Sequence, residues 1–291
     1  MIREFAPAKV NLFLHAGNRR PDGYHEIESL VVFASVGDEV SFEEADALSL
    51  NVEGPFASAL AQEPDNLVLR AARRFAEQAQ IEPRVRITLT KNLPIASGIG
   101  GGSSDAAATF RGLSRMWSGR TNLQALWDIA GDLGSDVPVC VLPGCWWMTG
   151  RGERFASINE VGTFDALLVS AGHPVSTPSV YNALRERTGI GHIARPQRFG
   201  TSGQLAGYLA GARNDLEAPA RSLCPVIGEQ LKALEETRPL LVRMSGSGPT
   251  CFGIYPTAAS AQAAGDVIAK EHPGWWTVPT KLNFGRKWVF Q

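Results

Sequence analysis

Cysteine is scarce in this chain and shows no motif. Cys140, Cys145, Cys224 and Cys251 form no C-x-x-C pair, which argues against a zinc ribbon or a redox dithiol and points to reduced thiols in a cytoplasmic setting. Net charge is nearly absent as well. Twenty-eight basic against 29 acidic residues leave −1 with no basic stripe, so neither nucleic acid nor an anionic membrane is expected as a partner. No apolar run approaches the roughly 18 residues of a membrane span. Lys9 and Asn11 break the opening segment, so no signal peptide is expected. No lysine lies between Lys91 and Lys232, which removes the lysine-bearing phosphate loop GxxxxGK[ST] from that stretch. What remains is an ordinary globular composition, 44% apolar and 20% charged. At 291 residues it has room for two domains, expected at 1–160 and 161–291 with the boundary near 159–164.

Glycine, by contrast, is concentrated in one place. Residues 94–107 read PIASGIGGGSSDAA, with Gly98, Gly100, Gly101 and Gly102 followed by Ser103, Ser104 and Asp105. Before them Val85, Ile87 and Leu89 alternate with polar residues, the period of a half-buried strand. After them Ala106, Phe110, Leu113 and Trp117 recur at helical spacing. Strand, glycine loop and helix together make a phosphate site. Glycine lets the backbone approach a ligand closely, and a helix start aims free N–H groups at it. The dinucleotide fingerprint GxGxxG fails, because counting from Gly98 and Gly100 the sixth position is Ser103.

Elsewhere the reading is coarser. Val10, Leu12 and Leu14 form one face of an opening strand, and Lys9, Asn11, Phe13 and His15 the other. Spacing alone favours solvent exposure for that polar face over a cleft wall. A Pro-Asp-Gly turn at 21–23 delivers Tyr24 and His25 side by side. Residues 27–33 and 39–42 read as strands joined at Gly37-Asp38. Asp65 or Asn66 caps a helix, and Thr121 to Gln124 has the capping-box spacing. Asp136 precedes an apolar strand expected at 137–142, a place where a carboxylate is ordinarily a turn former. Thr177 reads as an N-cap with Pro178 behind it, opening a short helix that carries Tyr181. Residues 192–205 read as a loop, and SGSGPT at 245–250 is a second glycine loop.

The strand with Lys9 and Asn11, the loop at 94–107 and the SGSGPT loop have the order and spacing of the three motifs of the GHMP kinase superfamily, which this chain resembles. Isoleucine stands at Ile99 where that superfamily has leucine, and an extra glycine run precedes the serine pair. That variant, with PAKVNLFLH (7–15), DGYHEIESL (22–30), LGSDVP (133–138), STPSVY (176–181) and RNDLE (213–217), is similar to one branch, the 4-diphosphocytidyl-2-C-methyl-D-erythritol kinases. The resemblance implies a two-domain α/β fold (α+β, in two layers) with the active site between the halves. It also implies transfer of the γ-phosphate of ATP to a small acceptor carrying cytidine diphosphate. Under it, Pro94, Ile95, Ala96, Ser97, Gly98, Ile99, Gly100, Gly101, Gly102, Ser103 and Ser104 hold ATP. Ser104 is the candidate Mg²⁺ ligand, with Ser103 as the alternative. Asp136 becomes the catalytic base, Lys9 its cationic partner, and Asn11, Tyr24, His25, Thr177 and Tyr181 the acceptor's contacts. The family often has phenylalanine where Tyr181 stands; stacking survives that difference. Kinases acting on homoserine, mevalonate or a sugar, and a non-catalytic nucleotide-binding module, are the competing readings. Oligomeric state stays open.

Overall fold

The computed structural model describes residues 1–60, 65–184, 190 and 193–283. The chain begins with a long antiparallel ribbon, β1 (Ile2–Arg19) and β2 (His25–Glu44). The two strands expected at 27–33 and 39–42 are one. Gly37 sits opposite Pro7, and a Cβ on it would lie 2.3 Å from the Ala6 carbonyl, so the glycine serves a close crossing of backbones and no turn forms. Register shifts after Pro7 and after Asn11 absorb the bend.

After β3 (Ser49–Glu53), the side chain of Asn66 accepts from the Val68 amide and caps α1 (Leu67–Ala79), which buries Val68, Ala71, Ala72 and Phe75. In β4 (Val85–Thr90) Val85, Ile87 and Leu89 face the core, as their alternation implies. Next come α2 (Gly101–Met116) and α3 (Leu123–Ala130). Asn122 caps α3 by accepting from Ala125, so the Thr121–Gln124 box does not form. The apolar strand expected at 137–142 is a helix, α4 (Val137–Val141). Five apolar residues carry no usable period, and Pro138 in the first turn suits a helix start.

The hairpin β5 (Trp146–Gly150) and β6 (Arg154–Ser157) adds to β2 through β5. Two-residue β7 (Glu160–Val161) precedes β8 (Phe164–Ser170). Helix α5 (Thr177–Asn182) is capped by Ser176, one residue before the expected Thr177. The segment expected as loop at 192–205 contains β9 (Arg198–Phe199) and the start of α6 (Ser202–Leu209), which Thr201 and Gln204 close with a capping box; His192 lies outside the described residues. Helices α7 (Glu217–Leu223) and α8 (Val226–Glu236), strands β10 (Leu241–Met244) and β11 (Cys251–Tyr255), helix α9 (Ala258–Glu271) and strand β12 (Trp276–Leu282) complete the chain.

One ten-stranded sheet runs through both halves in the order β10-β11-β8-β12-β2-β4-β3, with β1 and β5 also on β2. Strand β12 pairs along β8 and, among the described residues, meets β2 in the single ladder pair Leu282–Ala34, beside which the Ser35 hydroxyl bonds to Thr280 and accepts from the Lys281 amide, so the ladder between halves is short. Strand β1 supplies the stronger bond between them. Ala6 packs in the first-half core with α1, α2 and α4; Val10, Leu12 and Phe13 pack with Phe164 and Phe252; Leu14 and Ala16 pack with α8 and α9 residues. Among the described residues no helix is long and apolar enough to cross a membrane.

Candidate active site

A cleft of about 520 Å³ opens where β1, the glycine loop, α4, α5 and the second glycine loop meet. Its volume suits small-molecule ligands. Pro94 through Gly98, Gly100, Gly101, Gly102 and Ser103 line it, as do Lys9, Asn11, Asp136, Thr177, Tyr181, Gly246 and Ser247.

Helix α2 starts inside the glycine run. Gly100 is its N-cap in the left-handed region (φ 62°), and the Ser104 amide makes the helix's first bond, to the Gly100 carbonyl at 2.8 Å. The amides of Gly101, Gly102 and Ser103 therefore have no acceptor within the helix and sit at the cleft. The remaining loop is tied down from both sides. Lys9 N–H donates to Ile99 O, and Thr250 N–H to Ser97 O. Ser245 Oγ accepts from the Asn11 amide at 3.1 Å and donates to Gly98 O at 3.3 Å. Gly98 (φ 72°) lies so close to the second loop that a Cβ would be 2.4 Å from Gly248 O. Two expected loop residues do not line the cleft. Ile99 is wholly buried in the core, and Ser104 is wholly buried on the inner side of α2 with its hydroxyl unpartnered. Helical rotation of about 100° per residue turns Ser103 to the cleft and Ser104 away from it.

Lys9 and Asn11 are 4% and 2% exposed, so the polar face of β1 is the cleft wall and not the solvent face its spacing favoured. The register shift between Asn11 and Phe13 ends that face after two residues, and Phe13 turns into the core against Trp147. Lys9 Nζ donates to Asn11 Oδ1 at 3.0 Å and lies 3.1 Å from Asp136 Oδ1. Asn11 Nδ2 donates to Ser29 Oγ. Asp136 stands at the N-cap of α4 without capping it, which leaves its carboxylate free to face Lys9. Buried Arg111 holds the other end of α4. Its guanidinium donates to Cys140 O (2.9 Å), Val141 O (3.3 Å) and Phe5 O (2.6 Å), and pairs with Glu4.

Beneath the loop lies a cluster that no sequence rule predicted. Lys91 Nζ pairs with Asp38 and, at 2.7 Å, with Asp105, all three buried. Asp38 also accepts from the amides of Asn92 and Leu93, whereas Asp105 Oδ1 has no partner. Burial pushes the Asp105 carboxyl up to about 8; Lys91 opposes this and Asp38 adds to it. Burial alone would lower Lys91, but Asp105 and Asp38 outweigh it and hold the ammonium protonated. Asp105 was visible only as a letter in the loop motif, and Lys91 only as the last lysine before a long gap.

At the α5 side, Tyr181 lines the cleft and stacks on His25 with ring centroids 5.3 Å apart. Burial, with a contribution from Asp136, raises its hydroxyl pKa. Thr177 and Ser247 hydroxyls bond at 2.8 Å and close the wall. Tyr24 and His25 do not line the cleft itself. Tyr24 is half exposed at its mouth, with the Arg151 guanidinium 5.0 Å above its ring. Asn214 of RNDLE donates to Met244 O and Gly246 O, fixing the second glycine loop.

Comparison with known proteins gives a consistent result. The family model for the GHMP kinases N terminal domain matches residues 66–144, and the model for the GHMP kinases C terminal matches 192–274. The 4-diphosphocytidyl-2-C-methyl-D-erythritol kinase of Parvibaculum lavamentivorans is 46% identical, over 94% of this chain and 96% of that protein. The protein of the same name from Paracoccus denitrificans is 47% identical over 96% of each. A crystal structure of 4-(cytidine 5′-diphospho)-2C-methyl-D-erythritol kinase superposes with a TM-score of 0.78 at 31% identity, covering 98% of this chain and 100% of that one. The mevalonate kinase of L. major, 15% identical with a TM-score of 0.76, shares the fold, covering 99% of this chain and 97% of that one.

Proposed function

The chain belongs to the GHMP kinases, and within them to the 4-diphosphocytidyl-2-C-methyl-D-erythritol kinases, and from that premise we propose how its cleft performs the reaction. The reaction is ATP-dependent phosphorylation of the 2-hydroxyl of 4-(cytidine 5′-diphospho)-2-C-methyl-D-erythritol, giving the 2-phosphate on the methylerythritol phosphate route to isoprenoids. Phosphoryl transfer asks a protein for positioning and charge neutralisation more than for covalent chemistry. The amides of Gly101, Gly102 and Ser103 supply the first share, binding the phosphates of ATP. Gly102 approaches Leu67 while Gly100 approaches Lys9, so ATP lies with its base toward Leu60, Asn66 and Leu67 and its γ-phosphate toward Lys9.

Asp136 takes the proton of the acceptor hydroxyl, Lys9 offsets the charge that develops on the transferring group, and Asn11 orients the hydroxyl. A carboxylate is a weak base, so the proton moves late, as the oxygen–phosphorus bond forms. The cytosine ring packs on Tyr181 and His25, with Tyr24 covering it from the mouth and Thr177 contacting it from the wall. Residues 1–160 are the ATP-binding half, and residues 161–291 the substrate-side half.

Among the described residues no three acidic, histidine or cysteine side chains gather as a ready-made metal cage. Mg²⁺ bound with ATP does not need one, since phosphates and waters fill most of its shell. The Ser103 hydroxyl lines the cleft beside the free amides and fits as the protein oxygen that would hold it; Ser104, buried behind it, does not. When bound, the ion neutralises charge on the phosphate oxygens.

The observation that carries this reading is the Lys9–Asp136 pair facing the unpaired amides of α2 across one cleft. A coupled assay of ATP turnover with and without the cytidylyl acceptor tests it. Turnover that ignores the acceptor would sink it.

A further inference from the structure

Two polyanions must share this cleft, yet its cations are largely spent. Of the basic side chains lining it, Lys9 is paired with Asp136 at 3.1 Å, and Lys91 with Asp38 and Asp105. The free amides of α2 serve ATP. Nothing so far answers the diphosphate of a cytidylyl acceptor. Arg151 also lines the cleft, and among the described residues it is the one cation there with no carboxylate bridge.

Its position is built. Arg151 occupies the tip of the β5–β6 hairpin between Gly150 (φ 73°) and Gly152 (φ 111°). Glu153 accepts from the Arg151 amide at 2.6 Å and so holds the turn by the backbone, leaving the guanidinium unbridged. Gly150 pairs with Ile27 of β2, which sets the tip beside the segment bearing Tyr24 and His25. The guanidinium lies 5.0 Å over the Tyr24 ring. Arg20, the neighbouring cation, is already bridged to Asp22 and Glu26. A guanidinium can rest its face on an aromatic ring while its edge N–H groups remain free for phosphate oxygens, which an ammonium cannot do.

We propose that Arg151 binds the diphosphate of the cytidylyl acceptor, with Tyr24 beneath it as its platform. This inference rests on the reading of the acceptor as a cytidine diphosphate derivative. It makes Arg151 a determinant of specificity for a diphosphate over a bare nucleoside.

The test compares wild type, Arg151→Ala and Arg151→Lys in steady-state kinetics, and measures CDP and cytidine binding to each by calorimetry. Expected for Arg151→Ala is a rise of about 10- to 100-fold in the KM for the acceptor, the usual worth of a charge-assisted bond. Turnover at saturation and the KM for ATP stay within about twofold of wild type, the range of an undisturbed site. CDP binding weakens by the same factor while cytidine binding holds, and Arg151→Lys lies between. An unchanged acceptor KM in Arg151→Ala overturns the proposal. So do equal losses for CDP and cytidine, which would mean that Arg151 acts only by placing Tyr24. Wild-type protein that does not turn over the acceptor at all would instead sink the kinase reading.

Discussion

Lys9 and Asp136 meet at 3.1 Å across the cleft although they come from the first strand and the fourth helix. Lys9 reaches the pair from inside the protein with a side chain 5% exposed, and Asp136 from the rim with one 41% exposed. The asymmetry suits their parts. A buried ammonium is held in one place by Asn11 and Asp136, while a partly open carboxylate remains accessible to an incoming hydroxyl.

Replacing Asp136 with Asn keeps the shape and removes the base. Turnover is expected to fall about 10²- to 10⁴-fold, the usual worth of a positioned acid or base, while the KM for ATP changes little. Wild-type turnover in Asp136→Asn would take Asp136 out of the chemistry.

Arg111 ties the C-terminal carbonyls of α4 to Phe5 on β1, and so ties the elements that carry Asp136 and Lys9. Arg111→Met leaves Glu4 bridged to exposed Arg115 and removes the donor to the Cys140, Val141 and Phe5 carbonyls. A stability loss of about 3–5 kcal/mol is expected in urea titration, as for breaking a buried ion pair. In the folded fraction kcat should drop further than the KM for ATP rises. Equal changes in both would mean that α4 holds its place without Arg111.

The two glycine loops interlock at Gly98. Gly98→Ala forces a Cβ to within 2.4 Å of Gly248 O and places alanine at φ 72°, so ATP affinity and stability should both fall. Gly207→Ala is the control. That glycine lies in α6 with nothing within 4 Å of its missing Cβ, and the change should stabilise by about 0.5–1 kcal/mol.

Asp105 predicts a pH dependence. Its carboxyl keeps a proton up to about 8 in the folded protein, whereas an unfolded aspartate loses it near pH 4. Between those values the folded state binds more protons, so this group's contribution is full below about pH 4 and is lost as pH rises through about 8. Urea midpoints from pH 5 to 8 should fall more steeply for wild type than for Asp105→Asn, which cannot ionise. Parallel slopes would show that Asp105 is already ionised in the folded protein.

Tyr181 gives the clearest test of the acceptor end. Tyr181→Phe retains the ring and should leave acceptor binding nearly unchanged. Tyr181→Ala should weaken it by about 5- to 150-fold, the range of one base–aromatic stack, and weaken ATP binding far less. Equal losses for both ligands would move the cytosine elsewhere.

Local physics in the sequence determined much of this protein. Four glycines before a helical period specify a loop at a helix start, alternation specifies β4, and the Asp65-Asn66 pair specifies the start of α1 to within one residue, because each signal is complete within a few neighbouring residues. Tertiary structure decided what depends on partners far along the chain. The bulge after Asn11 decided that two polar residues of β1 face a cleft, and helical rotation from a start at Gly101 decided for Ser103 over Ser104. Asp136 read as a turn former until α4, anchored by Arg111 at its far end, brought it to Lys9. Lys91, just beyond β4, met Asp38 and Asp105 only because β2, the end of β4 and α2 pack together, and no spacing rule joins charges from three separate segments. The site is therefore legible in its loop and hidden in its charges, since backbone conformation is a local property and electrostatic pairing is a property of the whole fold.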